Sequence, residues 1–285
     1  MRVLVTGYSG QLGYDVVKEG KSRNYDMYGT SSSDLDITDK QKVHTYVETL
    51  NPTVIIHCAA YTAVDQAEDD QEMCYNVNVI GTKNIAQVAK KIGAKLVYIS
   101  TDYVFDGQGT EPFTEMSVPQ PVGYYGKTKL EGEQVLQLIL DAWFIVRVSW
   151  VFGINGHNFI KTMLRLSETH DTVNVVHDQM GSPTYTADLS RLILDMIETE
   201  NYGLYHASNE GVCSWSEFAE EIFKQAGKQV IVNSITTEEY PTRAIRPKNS
   251  KMSKQKLREC GFNVLPSWQD AVGRYLAELK QEVEV

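Results

Sequence analysis

Apolar residues in the first half of the chain come in short unbroken runs, not in alternation. Arg2-Val3-Leu4-Val5-Thr6, Val54-Ile55-Ile56-His57-Cys58-Ala59-Ala60, Leu96-Val97-Tyr98-Ile99-Ser100 and Phe144-Ile145-Val146-Arg147-Val148 read as strands buried on both faces of a parallel sheet. A further strand is expected around Tyr25 to Thr30. Between the runs, apolar positions recur at helical spacing: around Asp15 to Glu19, from about Asp39 to Leu50, from about Glu72 to Ile92, and after Tyr124 through Val135, Leu136 and Ile139. The long third helix is expected to turn Val77, Ile80, Ile85, Val88 and Ala89 inward. Strands alternating with helices predict a Rossmann-type, doubly wound parallel α/β sheet over residues 1–150.

From about Asn155 the pattern changes. Helices are expected over His157 to Leu166 (apolar on Phe159, Met163 and Leu166), Thr186 to Glu198, Trp215 to Ala226 and Ser253 to Cys260, with one short strand at Val173 to Val176. Residues 151–285 should therefore form mainly a smaller α-rich substrate lobe, with some later segments returning to the first domain.

Composition narrows the class. A chain of 285 residues with 42% hydrophobic and 22% charged residues is that of a soluble globular protein. No apolar run is long enough to span a membrane, and Met1-Arg2 leads straight into a strand without a signal peptide's core. Four scattered cysteines without metal-ligand spacing fit free thiols in a reducing cytoplasm. The net charge of −10 argues against nucleic acid and anionic membranes as partners, but leaves room for a small phosphorylated ligand.

The first strand runs into Gly7-Tyr8-Ser9-Gly10-Gln11-Leu12-Gly13 and then a helix. Glycines there let the chain turn tightly and offer free N–H groups at a helix N-terminus to a pyrophosphate. The spacing is G-x-x-G-x-x-G, not the G-x-G-x-x-G of the commoner dehydrogenases. Gly7, Gly10, Gln11, Leu12 and Gly13 are thus cofactor candidates. The second strand ends in Thr30-Ser31-Ser32-Ser33 with no acid or arginine directly after it, so NAD and NADP both stay open. Thr30, Asp36 and Ile37 are the candidates at that end, in a loop where Asp36 or Thr38 also reads as the cap of the next helix. The small Ala59-Ala60 strand end lets a flat ligand lie on the backbone, with Tyr61 following, while His57 reads as a core histidine. Ser100-Thr101 sets hydroxyls at another strand end. Tyr125 and Lys129 stand four apart on one helix face. A phenol titrates near ~10, and Lys129 is the candidate cation to lower it. By spacing alone the pair also reads as two surface residues at a helix start.

In order, Gly7-x-x-Gly10-x-x-Gly13, Ser100-Thr101 and Tyr125-x-x-x-Lys129 resemble the extended short-chain dehydrogenase/reductase family, over essentially the whole chain. Further stretches resemble its branch acting on dTDP-sugars: Ala63-Val64-Asp65-x-Ala67-Glu68, Thr101-Asp102-Tyr103-Val104-Phe105, Arg147-Val148-Ser149-Trp150-Val151-Phe152-Gly153, Asp178-Gln179-x-Gly181-x-Pro183-Thr184 and Arg246-Pro247-x-Asn249-Ser250. The resemblance implies NAD(P)H-dependent reduction of the 4-keto group of dTDP-4-dehydro-L-rhamnose to dTDP-L-rhamnose. It implies Thr101, Tyr125 and Lys129 as catalytic residues, Tyr125 giving a proton to the developing alkoxide and Thr101 orienting the carbonyl. NADPH or NADH would sit on the glycine turn and strand ends. Val64, Asp102, Tyr103, Trp150 and Arg246 would meet the substrate. Trp150 would offer an aromatic face to the sugar, its other reading being a core tryptophan. Arg246, in an expected cationic cluster with Arg243 and Lys248, would grip the diphosphate, its other reading being solvated surface. Some members bridge a dimer through Mg²⁺ and glutamates. The corresponding loop here carries Asp15, which puts a Mg²⁺ site, and dimerisation with it, in question; monomer and homodimer both stay open.

Three rival readings share the resemblance. A 4,6-dehydratase carries Glu where this chain has Tyr103 and so lacks its base here. Another nucleotide-sugar reductase or epimerase keeps the same triad. The regulatory subunit of methionine adenosyltransferase is similar but acts as a binding partner; intact Thr101, Tyr125 and Lys129 favour catalysis.

Overall fold

The structure, a computed structural model, describes residues 1–283. Its first half runs β1 (Arg2–Thr6), α1 (Gln11–Ser22), β2 (Asp26–Thr30), α2 (Lys40–Leu50), β3 (Val54–His57), α3 (Gln71–Tyr75), α4 (Thr82–Ile92), β4 (Lys95–Thr101), α5 (Tyr124–Ile139) and β5 (Trp143–Val148). The second half begins β6 (Val151–Phe152), α6 (Phe159–Leu166), β7 (Thr172–Val176), β8 (Met180–Gly181), β9 (Thr184–Tyr185), α7 (Thr186–Ile197) and β10 (Gly203–His206). It ends with β11 (Asn209–Glu210), β12 (Cys213–Ser214), α8 (Trp215–Ala226), β13 (Ile231–Ile235), α9 (Gln255–Glu259), β14 (Leu265–Ser267) and α10 (Trp268–Val283).

Six strands form one sheet in the order β10-β5-β4-β3-β1-β2, every neighbouring pair parallel. Successive residues of β1 face opposite sides, as the pleat requires: Val3 and Val5 pack with α1 and α7, whereas Leu4 packs with α2 and α4. Both faces are therefore covered, which is why these strands read as unbroken apolar runs. Helix α7, strand β10 and Leu257 of α9 belong to the first of these cores although they follow residue 150.

The remaining helices, α6, α8 and α10, close a separate core around Phe152, Ile160, Phe218, Trp268 and Tyr275. Short two-stranded pieces join them: β6 with β9, β7 with β13, β8 with β12 and β11 with β14. Most of these strands, at two or three residues, are too short to leave a periodic signal, and β13 is largely exposed.

The long helix expected from Glu72 to Ile92 is interrupted by a π turn, Asn76–Gly81. The added residue shifts its phase, so Val79 is buried and Ile80, expected inward, is half-buried. Among the described residues no helix is long and apolar enough to cross a membrane.

Candidate active site

The C-terminal ends of β1, β3, β4 and β5 open onto a cavity of about 830 Å³, where the strand order reverses between β1 and β3. Parallel α/β sheets bind ligands at such a switch point. Gly7 leaves β1 with φ of +73°, and a Cβ there would sit 2.6 Å from the Ala59 nitrogen. A Cβ on Gly13 would overlap the Gly7 carbonyl. Gly10 stands at the N-cap of α1 and no side chain caps that helix. Its first-turn N–H groups therefore stay free for an anion, and the cradle fits the diphosphate of a dinucleotide. Gly10, Gln11, Leu12, Ala59, Ala60 and Tyr61 line this part of the cavity. Gln11 also ties the two halves together, its Oε1 accepting from the Gly153 N–H at 2.8 Å and from Asn158 Nδ2 at 3.1 Å.

Ser31, Ser32, Leu35, Asp36 and Ile37 line the adjoining wall. Thr30 does not; it is buried, and its hydroxyl points back to the Val5 carbonyl 3.5 Å away. Asp36 accepts from the N–H and hydroxyl of Thr38, and the cap of α2 is Asp39, not Asp36 or Thr38, through the Lys42 N–H at 3.0 Å. His57 is a core residue, its ring bonded to Thr6 at 2.7 Å and Thr82 at 3.3 Å.

At the other end of the cavity stand Thr101, Asp102, Tyr103, Tyr125 and Lys129. Tyr125 and Lys129 are buried, 9% and 2% exposed, so the reading as surface residues at a helix start does not apply. Helix α5 approaches the end of β4 closely because Gly126 has no side chain: a Cβ there would overlap the Tyr103 carbonyl. Thr101 donates from Oγ1 to Asp102 Oδ1 at 3.0 Å and accepts from the Tyr103 N–H at 3.2 Å. Asp102 Oδ2 is buried without a partner among the described residues, and burial pushes this carboxyl up to about 6. The Tyr103 and Tyr125 rings meet edge to face, centroids 5.6 Å apart.

Spacing predicts that Lys129 lowers the Tyr125 pKa; the structure differs. Burial, then the Asp102 charge, pushes the phenol above its ordinary value, so it stays protonated. The Lys129 ammonium lies over the Tyr98 ring, 4.0 Å from its centroid, and burial pulls it down to about 7 against the charge of Glu133. Glu133 itself is held by Ser100 at 2.5 Å and by Arg147 at 2.8 and 2.6 Å.

Val64 and Trp150 line the cavity. Trp150 has a left-handed φ of +47° and stacks on Trp215, centroids 3.8 Å apart. Arg243, Arg246 and Lys248 do not form one free cationic cluster, because each is paired with acids: Arg243 with Asp69, Arg246 with Asp65, and Lys248 with Asp178 and Glu238. Arg246 does not itself line the cavity; it donates at 3.1 Å to the hydroxyl of Tyr103, which does. Asp15 lies buried against the Thr186 hydroxyl, and among the described residues no three His, Cys, Asp or Glu side chains are grouped to hold a metal.

Sequence reasoning missed several participants. Asn78, in the π turn, holds the Tyr61 N–H at 2.9 Å and the Thr128 hydroxyl at 3.0 Å. Gly156 and His157 reach the cavity from the far half. For Gly156 a signal existed, a glycine in a polar turn, here with φ of +82°.

The family model described as RmlD substrate binding domain matches residues 1–281. A solved dTDP-4-dehydrorhamnose reductase from Bacillus anthracis, in complex with NADP, is 46% identical with a TM-score of 0.95, covering 97% of this chain and 99% of its own. A solved dTDP-4-dehydrorhamnose reductase from Clostridium acetobutylicum is 44% identical with a TM-score of 0.96, covering 98% and 100%. A curated dTDP-4-dehydrorhamnose reductase from Aggregatibacter actinomycetemcomitans is 40% identical over 95% of this chain and 97% of its own length.

Proposed function

The chain belongs to the RmlD substrate binding domain family, and on that premise we propose that it reduces the 4-keto group of dTDP-4-dehydro-L-rhamnose to dTDP-L-rhamnose. It is an NAD(P)H-dependent oxidoreductase. The observation that carries the reading is a buried phenol, Tyr125, sharing one cavity with Thr101, Lys129 and an uncapped helix N-terminus.

The nicotinamide cofactor, when bound, supplies a hydride to the carbonyl carbon. Gly7, Gly10 and Gly13 admit its diphosphate to the start of α1, and Ala59, Ala60 and Tyr61 leave a flat floor beside it. Tyr125 gives its proton to the carbonyl oxygen as negative charge develops there. Thr101 donates to the same oxygen and orients it. Lys129 holds the cofactor ribose through its ammonium. Asp102 Oδ2, lacking a partner, accepts from a sugar hydroxyl, since a buried carboxylate oxygen left unpaired is costly. Trp150 faces the sugar ring and Arg246 the diphosphate. Nucleotide binding is assigned to the half built on the six-stranded sheet, and sugar binding mainly to the lobe within residues 151–285. The free thiols suit a cytoplasmic site of action. The Thr101-Asp102-Tyr103-Val104-Phe105 run and the named relatives favour a reductase over an epimerase.

Purified protein mixed with dTDP-4-dehydro-L-rhamnose and NADPH or NADH should lose absorbance at the nicotinamide band. No consumption above blank with either cofactor overturns the assignment. Tyr125→Phe should lower kcat about a hundredfold or more with NADPH binding retained; surviving turnover would put the proton donor elsewhere.

A further inference from the structure

Asp65 and Arg246 meet beside Tyr103, a residue of the cavity wall, and Asp65 has no part in the chemistry above. Arg246 donates through Nη2 to Asp65 and through Nη1 to the Tyr103 hydroxyl. The other Asp65 oxygen accepts the Ala244 N–H at 3.0 Å, so the same carboxylate fixes both the backbone and the side chain of the Arg246 segment. Tyr103 in turn stands edge-on to Tyr125. Of the three cations in this segment, Arg246 is turned inward, its side chain 21% exposed against 69% for Arg243 and 53% for Lys248.

We propose that Asp65 is a positioning residue for the substrate's diphosphate: it holds one edge of Arg246 against Tyr103 and leaves the remaining guanidinium N–H groups to the anion. A free arginine loses several rotors when it grips a phosphate, whereas one already immobilised by a carboxylate binds without that loss. Five donors on the planar head let it serve Asp65, Tyr103 and a phosphate oxygen together. The proposal rests on the reading of Arg246 as the diphosphate contact.

Asp65→Asn tests it, because the amide oxygen still accepts from Ala244 while the charge is lost. In the NADPH-loaded protein, KM for the dTDP-sugar and Kd for dTDP should both rise about tenfold, with kcat within about twofold and NADPH affinity unchanged. Asp65→Glu, which keeps the charge, should recover part of the loss. Where the Asn variant does not fold, Asp65→Ser gives the same readouts. Arg246→Gln should weaken dTDP binding, and the double variant should bind no worse than Arg246→Gln alone, since Asp65 acts only through the arginine. If Arg246→Gln weakens dTDP but Asp65→Asn leaves it unchanged or tightens it, the positioning role fails and the diphosphate contact stands. If Arg246→Gln leaves dTDP binding unchanged, the diphosphate contact itself fails.

Discussion

Lys129 illustrates how one buried side chain sets a pH dependence. Its ammonium is pulled from an ordinary 10.5 to about 7 because burial outweighs the attraction of Glu133. A lowered pKa means the proton leaves at lower pH. With the Lys129 ammonium and the Asp102 carboxylate as the working forms, kcat/KM should fall as pH rises through about 7, where Lys129 loses its proton, and fall again below about 6, where Asp102 gains one. Lys129→Arg keeps a charge that does not titrate in this range, so the alkaline limb should vanish from the pH profile of kcat/KM. An alkaline limb unchanged in that variant would belong to another group. The Tyr125–Lys129 spacing and the glycine turn were legible because their partners lie within a few residues of one another. Asp65 and Arg246 were not legible as a pair, since 181 positions separate them and only the fold brings them together. The direction of the Tyr125 shift also escaped, because burial and the Asp102 charge are properties of the cavity and not of the helix.

Helix α5 carries Tyr125 in its first turn, yet its own N-cap, Gly123, has no side chain to satisfy the exposed N–H groups. Glu68 does so instead, accepting from the Tyr124 N–H at 2.8 Å across 56 positions of sequence. Loss of a helix cap costs about 1 kcal/mol. Glu68→Ala should therefore lower the denaturant midpoint with an unchanged m-value, and lower kcat as the first turn frays; an unchanged midpoint would show that water serves that N–H equally well. Elements of the central sheet were readable from apolar runs, since full burial demands them. The π turn was not, because an inserted residue leaves composition unchanged and alters only the phase, as the exchange of Val79 for Ile80 shows.

At the scale of the whole molecule, the six-stranded sheet is completed late. Strand β10 pairs with β5, and α7 covers α1 with Leu189, Leu192 and Ile193. A fragment of residues 1–150 would leave β5 as an open edge and the apolar face of α1 bare. It should aggregate and show no cooperative thermal transition, whereas the full chain should show one; a sharp transition in the fragment would mark the first half as self-sufficient. The alternation of strands and helices made the sheet foreseeable, but β10, four residues long, gives no sign in sequence of which edge it joins. The two halves also touch through Trp150, just past β5, and Trp215, at the start of α8. Two indoles stacked at 3.8 Å share their excited states, so the pair should give the protein an exciton couplet in circular dichroism. If the sugar enters against Trp150 as proposed, substrate should change that couplet, which would make the stacked pair an optical record of whether the two halves are holding it.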